Sequence, residues 1–349
     1  MSDRSKRLLS LALSLGLGGL LLWLALRNAD FEAVGAALAG GAWGWLVPFT
    51  LVGLLSVVVR AWRWGMLIDA LPGRTGRVPL RLTSASVAIG YLVNYAAPRL
   101  GEVARTANVA RRADAPFSAV LGTVVAERIL DVVMLGLALL SVLALYGSRL
   151  GAVLEPARET LAGVLDVPLW ALALGVVLVA ALGALAAAAL LRGSGRIGAL
   201  VAQFRDGFTS VARTGRPGAV VASTLLLWVC YGAMSDLPFR LLGMDTVYGL
   251  GPVEAWAVMA IGGIGMALPA PGGTGSFHYA TVQALTLLFG VAVTPAATYA
   301  ILVHASGVVF YCVLGALAVA LQGASLSALT HAEPEAARAD VPQAAEAEA

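Results

Sequence analysis

The residues that could do chemistry in this chain fall into four groups set within apolar surroundings. The first, Asn94, Arg99, Glu102 and Arg105, surrounds Ala96-Ala97-Pro98-Arg99-Leu100-Gly101-Glu102, where proline and glycine break an apolar stretch. A helix restarting near Leu100 would make Glu102 and Arg105 i,i+3 neighbours able to pair. Its free N–H groups and positive dipole end favour an anion. Arg99 stands at the break itself, and a planar guanidinium there can take phosphate or carboxylate through two parallel hydrogen bonds.

Glu127, Arg128 and Asp131 form the second group, inside an apolar run that starts near Phe117. Helical spacing puts Glu127 and Asp131 on one face and lets Arg128 reach Asp131. Two readings stand: an ion pair locking this helix to a neighbour, or an anion site completed by Arg128. The third group is Gly272, Gly273, Thr274, Gly275 and His278, following Leu268-Pro269-Ala270-Pro271. Glycines permit positive φ and close backbone approach, and a helix is expected to restart near Ser276. His278 can titrate near neutrality or serve as a hydrogen-bonded structural residue, and the structural reading is preferred for His304. The fourth group is Arg60-Ala61-Trp62-Arg63-Trp64. Arginine and tryptophan at a span end usually anchor it at the membrane interface; contact of Arg60 and Arg63 with a lipid headgroup at the cytoplasmic mouth is the functional reading.

No serine nucleophile motif, histidine–carboxylate metal spacing or phosphate-binding Walker loop is present. Cys230 and Cys312 lie in apolar segments and read as small buried hydrophobes. The expectation is therefore no catalytic residue, no metal, no cofactor and no enzyme activity. Membrane lipids are the expected partners, with a separate lipid-modifying enzyme as a further one and no nucleic acid.

These groups must be positioned by membrane helices. Of 349 residues, 59% are hydrophobic and 12% charged, and several apolar runs reach the ~20 residues that span a bilayer. Full spans are expected over about 8–26, 43–63, 117–146, 168–191, 217–239 and 295–321. The first, behind Arg4, Lys6 and Arg7, reads as a retained helix rather than a cleaved signal peptide. Arginines crowd the segments after the second span (Arg60, Arg63, Arg74, Arg77, Arg81) and between 192 and 216 (Arg192, Arg196, Arg205, Arg213, Arg216). The segments 27–42 and 147–167 carry acidic residues instead. By the positive-inside rule, the N- and C-termini are cytoplasmic and the chain is integral to the cell membrane.

That topology makes residues 83–113 begin and end inside, and 252–291 begin and end outside. Each becomes a re-entrant helical hairpin turning at its proline-glycine break. Broken helices survive at membrane depth only within protein or beside a cavity, and paired ones in two halves point to a transport site at a repeat interface. The expected fold is an all-α polytopic membrane protein with about six full spans and two oppositely oriented re-entrant hairpins. It is one membrane domain over 1–322, with inverted-topology repeats of 8–146 and 168–321 and a disordered cytoplasmic tail over 323–349. Two conventional short spans in place of each hairpin are the simpler alternative.

Four motifs in order carry a family resemblance. They are Arg60-x-x-Arg63-Trp64; Asn94-x-x-x-Pro98-Arg99-x-Gly101-Glu102-x-x-Arg105; Glu127-Arg128-x-x-Asp131; and Pro269-x-Pro271-Gly272-Gly273-x-Gly275. The chain resembles the lysylphosphatidylglycerol synthase transmembrane-region, or flippase-like domain, family over nearly all of 8–322, as a stand-alone member without the synthase domain. The resemblance implies movement of a lipid between leaflets, since the membrane region of bifunctional members is taken to flip an aminoacylated phospholipid. Aminoacyl transfer is not implied here. Where many members carry Glu after Gly275, this chain has His278.

The function expected is translocation of an anionic or zwitterionic phospholipid, or of a polyprenyl-phosphate-linked lipid, between leaflets. Arg99, Arg105 and Arg128 would bind the phosphate; Glu102, Glu127 and Asp131 would orient them, beside Asn94. The Gly272–Gly275 loop would supply backbone donors and a gating movement. The rivals are a small-anion or proton-coupled solute transporter and an accessory subunit or enzyme of lipid-linked intermediate metabolism.

Overall fold

The computed structural model describes residues 3–96, 100–161, 196–268 and 270–322. The expected span at 168–191, the tail at 323–349, and Pro98, Arg99 and Pro269 lie outside the described residues.

Every regular element among the described residues is helical. The helices used below are α1 (Asp3–Leu26), α2 (Phe31–Ala39), α3 (Leu46–Asp69), α4 (Leu80–Ala96), α5 (Leu100–Arg112), α6 (Phe117–Leu161), α7 (Arg196–Phe208), α8 (Pro217–Leu241), α9 (Pro252–Ala267), α10 (Ser276–Gln283) and α11 (Val293–Gln322). Four stretches, Trp43–Asp69, Phe117–Gly151, Pro217–Leu241 and Val293–Gln322, are long and apolar enough to cross a membrane. At 1.5 Å per residue each exceeds a ~30 Å hydrocarbon core. Leu137, Leu140, Leu145, Val309, Val313 and Leu317 are more than half exposed along two of them, the pattern of helices solvated by lipid.

Local chemistry sets the helix ends. Asp30 caps α2 by accepting from the N–H groups of Glu32 (2.9 Å) and Ala33 (3.1 Å). Pro252 opens α9, and Glu254 reaches back to the Gly251 N–H at 3.0 Å. Proline is tolerated there because first-turn N–H groups have no intrahelical partner.

The chain divides into two compact units. One comprises residues 57–132, 169–227 and 311–349, the other 1–56, 133–168 and 228–310. In the first, α4 and α5 pack as an antiparallel helical hairpin: Ser86 meets Asn108 through a 2.8 Å hydrogen bond, and Gly90 faces Gly101 and Arg105. A small-residue core of Ala88, Ile89, Val93, Ala104 and Ala318 joins this hairpin to the end of α11. There Asn108 also donates to the Gln322 side chain at 3.0 Å and Arg112 to the Gln322 carbonyl at 3.1 Å. In the second unit, α9 and α10 form another antiparallel pair, with Gly265 against Ser276 and Phe277 and Gly262 against Phe277 and Thr281. Its core gathers Ala25, Phe239, Val258, Leu285, Ala297 and Tyr299.

Candidate functional site

The first unit holds a network of seven charged side chains. Arg60 and Arg63 come from α3, Glu102 and Arg105 from α5, and Glu127, Arg128 and Asp131 from α6. Arg60 Nε donates to Glu127 Oε1 at 2.6 Å while its Nη2 donates to Asp131 Oδ2 at 2.7 Å. Arg63 Nη2 meets Asp131 Oδ1 at 2.7 Å and Glu127 Oε1 at 3.5 Å. Arg105 Nη1 donates to Glu127 Oε2 at 3.1 Å. At the edge of the network, Arg128 donates to Glu102 Oε1 at 2.8 Å and lies 3.7 Å from Asp131.

Burial makes this network unusual. Arg63 and Glu127 are 0% exposed, Arg105 3% and Arg60 4%. Isolated buried charges are costly, and such groups persist when paired and hydrogen-bonded. Neutral groups complete several of the bonds: Arg60 Nη1 donates to the Tyr91 hydroxyl (2.9 Å) and Arg63 Nη1 to Thr224 Oγ1 (3.0 Å). The Arg105 guanidinium lies 4.7 Å over the Trp64 ring, a favourable cation–π contact, and Trp64 Nε1 is fixed by Thr123 Oγ1 at 2.9 Å.

The spacing explains the geometry. Arg60 and Arg63 share one face of α3 as i,i+3 residues, and Glu127 and Asp131 share one face of α6 as i,i+4 residues. Two positive groups on one helix thus meet two negative groups on another.

Two expectations need correction. Glu102 does not pair with Arg105: Glu102 faces Arg128 and accepts from Asn94 Nδ2 at 3.2 Å, whereas Arg105 turns to Glu127. Arg60 and Arg63 are not interfacial anchors. Both are buried as counter-ions of Glu127 and Asp131, and Trp64 is fully buried beside them; of that motif, Trp62 alone is exposed, at 46%. Arg128 does reach Asp131, at 3.7 Å, and sits at the margin of the Glu127–Asp131 group with a side chain 41% exposed. The sequence signal for the α3–α6 pairing was present in the matched i,i+3 and i,i+4 charges. Tyr91, Thr123 and Thr224 carried no signal beyond being polar within apolar helices. Arg99 lies outside the described residues.

Asn94 holds the tip of the first hairpin. Its Oδ1 accepts the Gly101 N–H at 2.8 Å, satisfying a first-turn donor of α5. Gly101 is required by close approach, because a Cβ there would strike the Gly90 carbonyl oxygen and the Asn94 side chain.

The third sequence group lies in the second unit. Gly272, Gly273 and Gly275 adopt φ of 59°, 73° and 89°, conformations that L side chains rarely take. A Cβ on Gly275 would meet the carbonyl oxygen of Gly18. α10 restarts at Ser276, and His278 stands at its third position, where Nδ1 accepts the Gly275 N–H at 3.4 Å. His278 is buried, with its ring centroid 4.7 Å from that of His304. His304 Nε2 lies 3.4 Å from the Thr274 hydroxyl. The two histidines, which sequence reading treated separately, form one contact. Among the described residues, no three His, Cys, Asp or Glu side chains are grouped to hold a metal.

Apolar helices long enough to span a bilayer, together with ionisable groups buried between such helices, define an integral membrane protein. The family profile described as "Lysylphosphatidylglycerol synthase TM region" matches residues 8–315, and the chain belongs to that family. No curated protein and no solved structure matches it.

Proposed function

We propose that this protein is a lipid translocator, without catalytic residues, that moves an anionic or zwitterionic phospholipid, or a polyprenyl-phosphate-linked lipid, between leaflets of the cell membrane. The observation that carries the reading is the seven-residue charged network on α3, α5 and α6, with Arg60, Arg63, Arg105 and Glu127 buried and one more guanidinium than carboxylate. Intramembrane ionisable groups are costly and mark substrate and ion pathways, and the family is named for the membrane region of a lipid synthase. Arg105 and Arg128 would contact the headgroup phosphate, together with Arg99. Glu127, Arg60, Arg63 and Asp131 hold Arg105 in place, while Glu102 and Asn94 steady Arg128 and the hairpin tip. The Gly272–Gly275 loop supplies the backbone freedom for movement.

In this reading 1–322 is a single membrane domain of six spans and two oppositely oriented re-entrant hairpins, with both termini cytoplasmic. Its repeats are 8–146 and 168–321. Unit membership supports the repeat. The unit with the first hairpin takes the C-terminal part of α3, the start of α6, the start of α8 and the end of α11. Exchange the halves, so that α3 becomes α8 and α6 becomes α11, and that membership becomes the other unit's. Inverted repeats with broken helices are a common transporter design.

The test is headgroup-specific leaflet exchange in proteoliposomes, read by dithionite quenching of fluorescent lipids. Exchange of one headgroup class that falls at least about tenfold in Arg128→Ala supports the proposal; the exposed position of Arg128 spares the buried pairs. Unchanged exchange in that variant sinks the site assignment. No exchange of any phospholipid or polyprenyl phosphate, across an ion or pH gradient, sinks the translocator and favours a solute carrier or an accessory subunit.

A further inference from the structure

The two hairpins keep one register. α5 starts at Leu100 and α10 at Ser276, while α6 starts at Phe117 and α11 at Val293, and these are equal steps along the chain. Packing inside the hairpins agrees. Gly90 faces Gly101 and Arg105, and Gly262 faces Phe277 and Thr281, the same two positions moved by that step. In this register His278 stands where Glu102 stands, and His304 where Arg128 stands. The first unit places opposite charges at the two positions, 2.8 Å apart. The second places two imidazoles, with ring centroids 4.7 Å apart. Such a pair gains charge only by taking a proton, within the range where histidine titrates.

The bond made by His278 fixes what a proton would do. Its Nδ1 accepts the Gly275 N–H at 3.4 Å, so Nδ1 carries no hydrogen in this arrangement. An imidazolium is a donor at both ring nitrogens and accepts nothing. A proton on Nδ1 therefore sets one N–H against another, and the cap of α10 is lost. Gly275 is the last of three tip glycines at positive φ, so the released backbone has conformations open to it. The neighbouring ring is tied to the same tip, with His304 Nε2 3.4 Å from the Thr274 hydroxyl and its ring 5.8 Å from that of Phe277.

The elements around the pair bring no carboxylate to an imidazolium. α10 packs against α9, α1 and the 284–288 turn. On α9 the acidic residue is Glu254, held by the Gly251 N–H and the Tyr146 hydroxyl; Gly262 and Gly265, which face α10, lie two to three turns further on. Asp3, Arg4, Lys6 and Arg7 are in the first two turns of α1, and Gly18, which touches Gly275, is about 16 Å beyond Arg7 along the helix. The 284–288 turn has no ionisable residue, and α10 adds Tyr279, packed on the apolar core. On α11, the Tyr299 hydroxyl donates to the Ser235 carbonyl, and Tyr311 and Cys312 lie about two turns past His304. Asp236 of α8, beside Ser235, is paired with Arg240 at 3.0 Å. A buried charge without a partner is strongly disfavoured, and moving the tip is the available relief.

We propose that His278, with His304 beside it, is a proton-binding site that controls the second hairpin: a proton on Nδ1 of His278 displaces the Gly275 N–H, uncaps α10 and frees the Gly272–Gly275 tip. The inference rests on the translocator reading only for what the freed tip does to lipid movement. Proton binding and uncapping stand without it.

The experiment is hydrogen–deuterium exchange of the full chain in a neutral maltoside detergent at about pH 8 and about pH 5, the window in which histidine changes charge, with labelling times scaled to intrinsic amide rates. Protection at the start of α10 should fall at least about fivefold at the lower pH, the scale of a lost helix cap, while α5 stays unchanged. His278→Gln keeps an acceptor that takes no proton and leaves His304 and His331 in place, so its α10 should be equally protected at both. An unaltered protein whose α10 does not respond overturns the proposal without any variant, and so does an equal loss in α5 and α10. A response that persists in folded H278Q puts the proton elsewhere and overturns the site. Lipid exchange in proteoliposomes at the same two pH values separates the two readings. If α10 opens in acid and no lipid exchanges at either pH, the proton site stands and the translocator falls. If lipid exchanges while α10 ignores pH, the translocator stands and the proton site falls.

Discussion

The two helical hairpins meet the same problem and solve it with different materials. Each interrupts a helix and so releases backbone N–H groups that need partners. The α4–α5 hairpin answers with side chains. Asn94 accepts the Gly101 N–H, Glu102 accepts from both Asn94 and Arg128, and behind them stand Glu127, Arg105, Arg60 and Arg63. The α9–α10 hairpin answers with backbone conformation. Three glycines at positive φ turn the chain and His278 supplies one acceptor. The first tip is an electrostatic assembly whose residues hold one another in place. The second is a conformational one, low in charge.

Breaking the first assembly should have the largest effect. Glu127 accepts from Arg60 and Arg105 and lies 3.5 Å from Arg63. Glu127→Gln leaves those three arginines together with Asp131 alone to balance them. Removing one partner of a buried pair costs about 3–5 kcal/mol, so E127Q should unfold at a markedly lower temperature in detergent or fail to accumulate. A loss below about 1 kcal/mol would mean the network behaves like a surface ion pair.

Gly275→Ala attacks the second assembly at its own weak point. The residue combines φ of 89° with a Cβ directed at the Gly18 carbonyl. Strain of this kind costs about 1–3 kcal/mol, before any shift of α1. Gly16→Ala is the matched control, since nothing lies within 4 Å of the added Cβ; it should be neutral or stabilise α1 by up to about 1 kcal/mol. Both are read by thermal unfolding. If G275A and G16A melt alike, the second hairpin does not depend on its glycine geometry.

Asn94→Ala should cost less. It removes the acceptor for the Gly101 N–H, an effect comparable to losing an N-cap, about 1 kcal/mol. It also frees Glu102, so the 2.8 Å contact to Arg128 loses one of its supports. Lipid exchange should therefore fall by more than stability alone explains. Equal losses of exchange in N94A and in a folded variant of matched stability elsewhere would confine Asn94 to a structural role.

What could be read from the sequence followed the same division. The breaks at Pro98–Gly101 and Pro271–Gly275, and helix restarts at Leu100 and Ser276, follow from proline and glycine chemistry. Four of the six expected spans, 43–63, 117–146, 217–239 and 295–321, correspond to helices long and apolar enough to cross a membrane, with α3 and α6 extending beyond 63 and 146 to Asp69 and Leu161. Partner choice was not legible. The i,i+3 rule joined Glu102 to Arg105 because it sees one helix at a time. Tertiary packing instead offered each residue a partner on α6: the buried Glu127 for Arg105, a pair stronger than a solvated one along a helix surface, and the part-exposed Arg128 for Glu102. Arg60 and Arg63 were placed at the membrane interface by the same one-helix view, because their counter-ions lie far along the chain.

The smallest predicted effect is at His278, and it bears on what a histidine does at the third position of α10. In a capping box, the side chain at the third helical position accepts the backbone N–H at the cap. Glutamate does this with a carboxylate oxygen; His278 does it with Nδ1, at 3.4 Å from the Gly275 nitrogen. The backbone task is the same, while the charge is absent, which fits a hairpin that turns by conformation rather than by ion pairing. His278→Gln keeps an acceptor at the third position, so it should melt within a few tenths of a kcal/mol of the unaltered protein. His278→Ala removes it and should lose about 0.5–1 kcal/mol. If H278Q loses as much as H278A, the ring contact with His304 at 4.7 Å is what this hairpin needs from residue 278, and the cap is incidental.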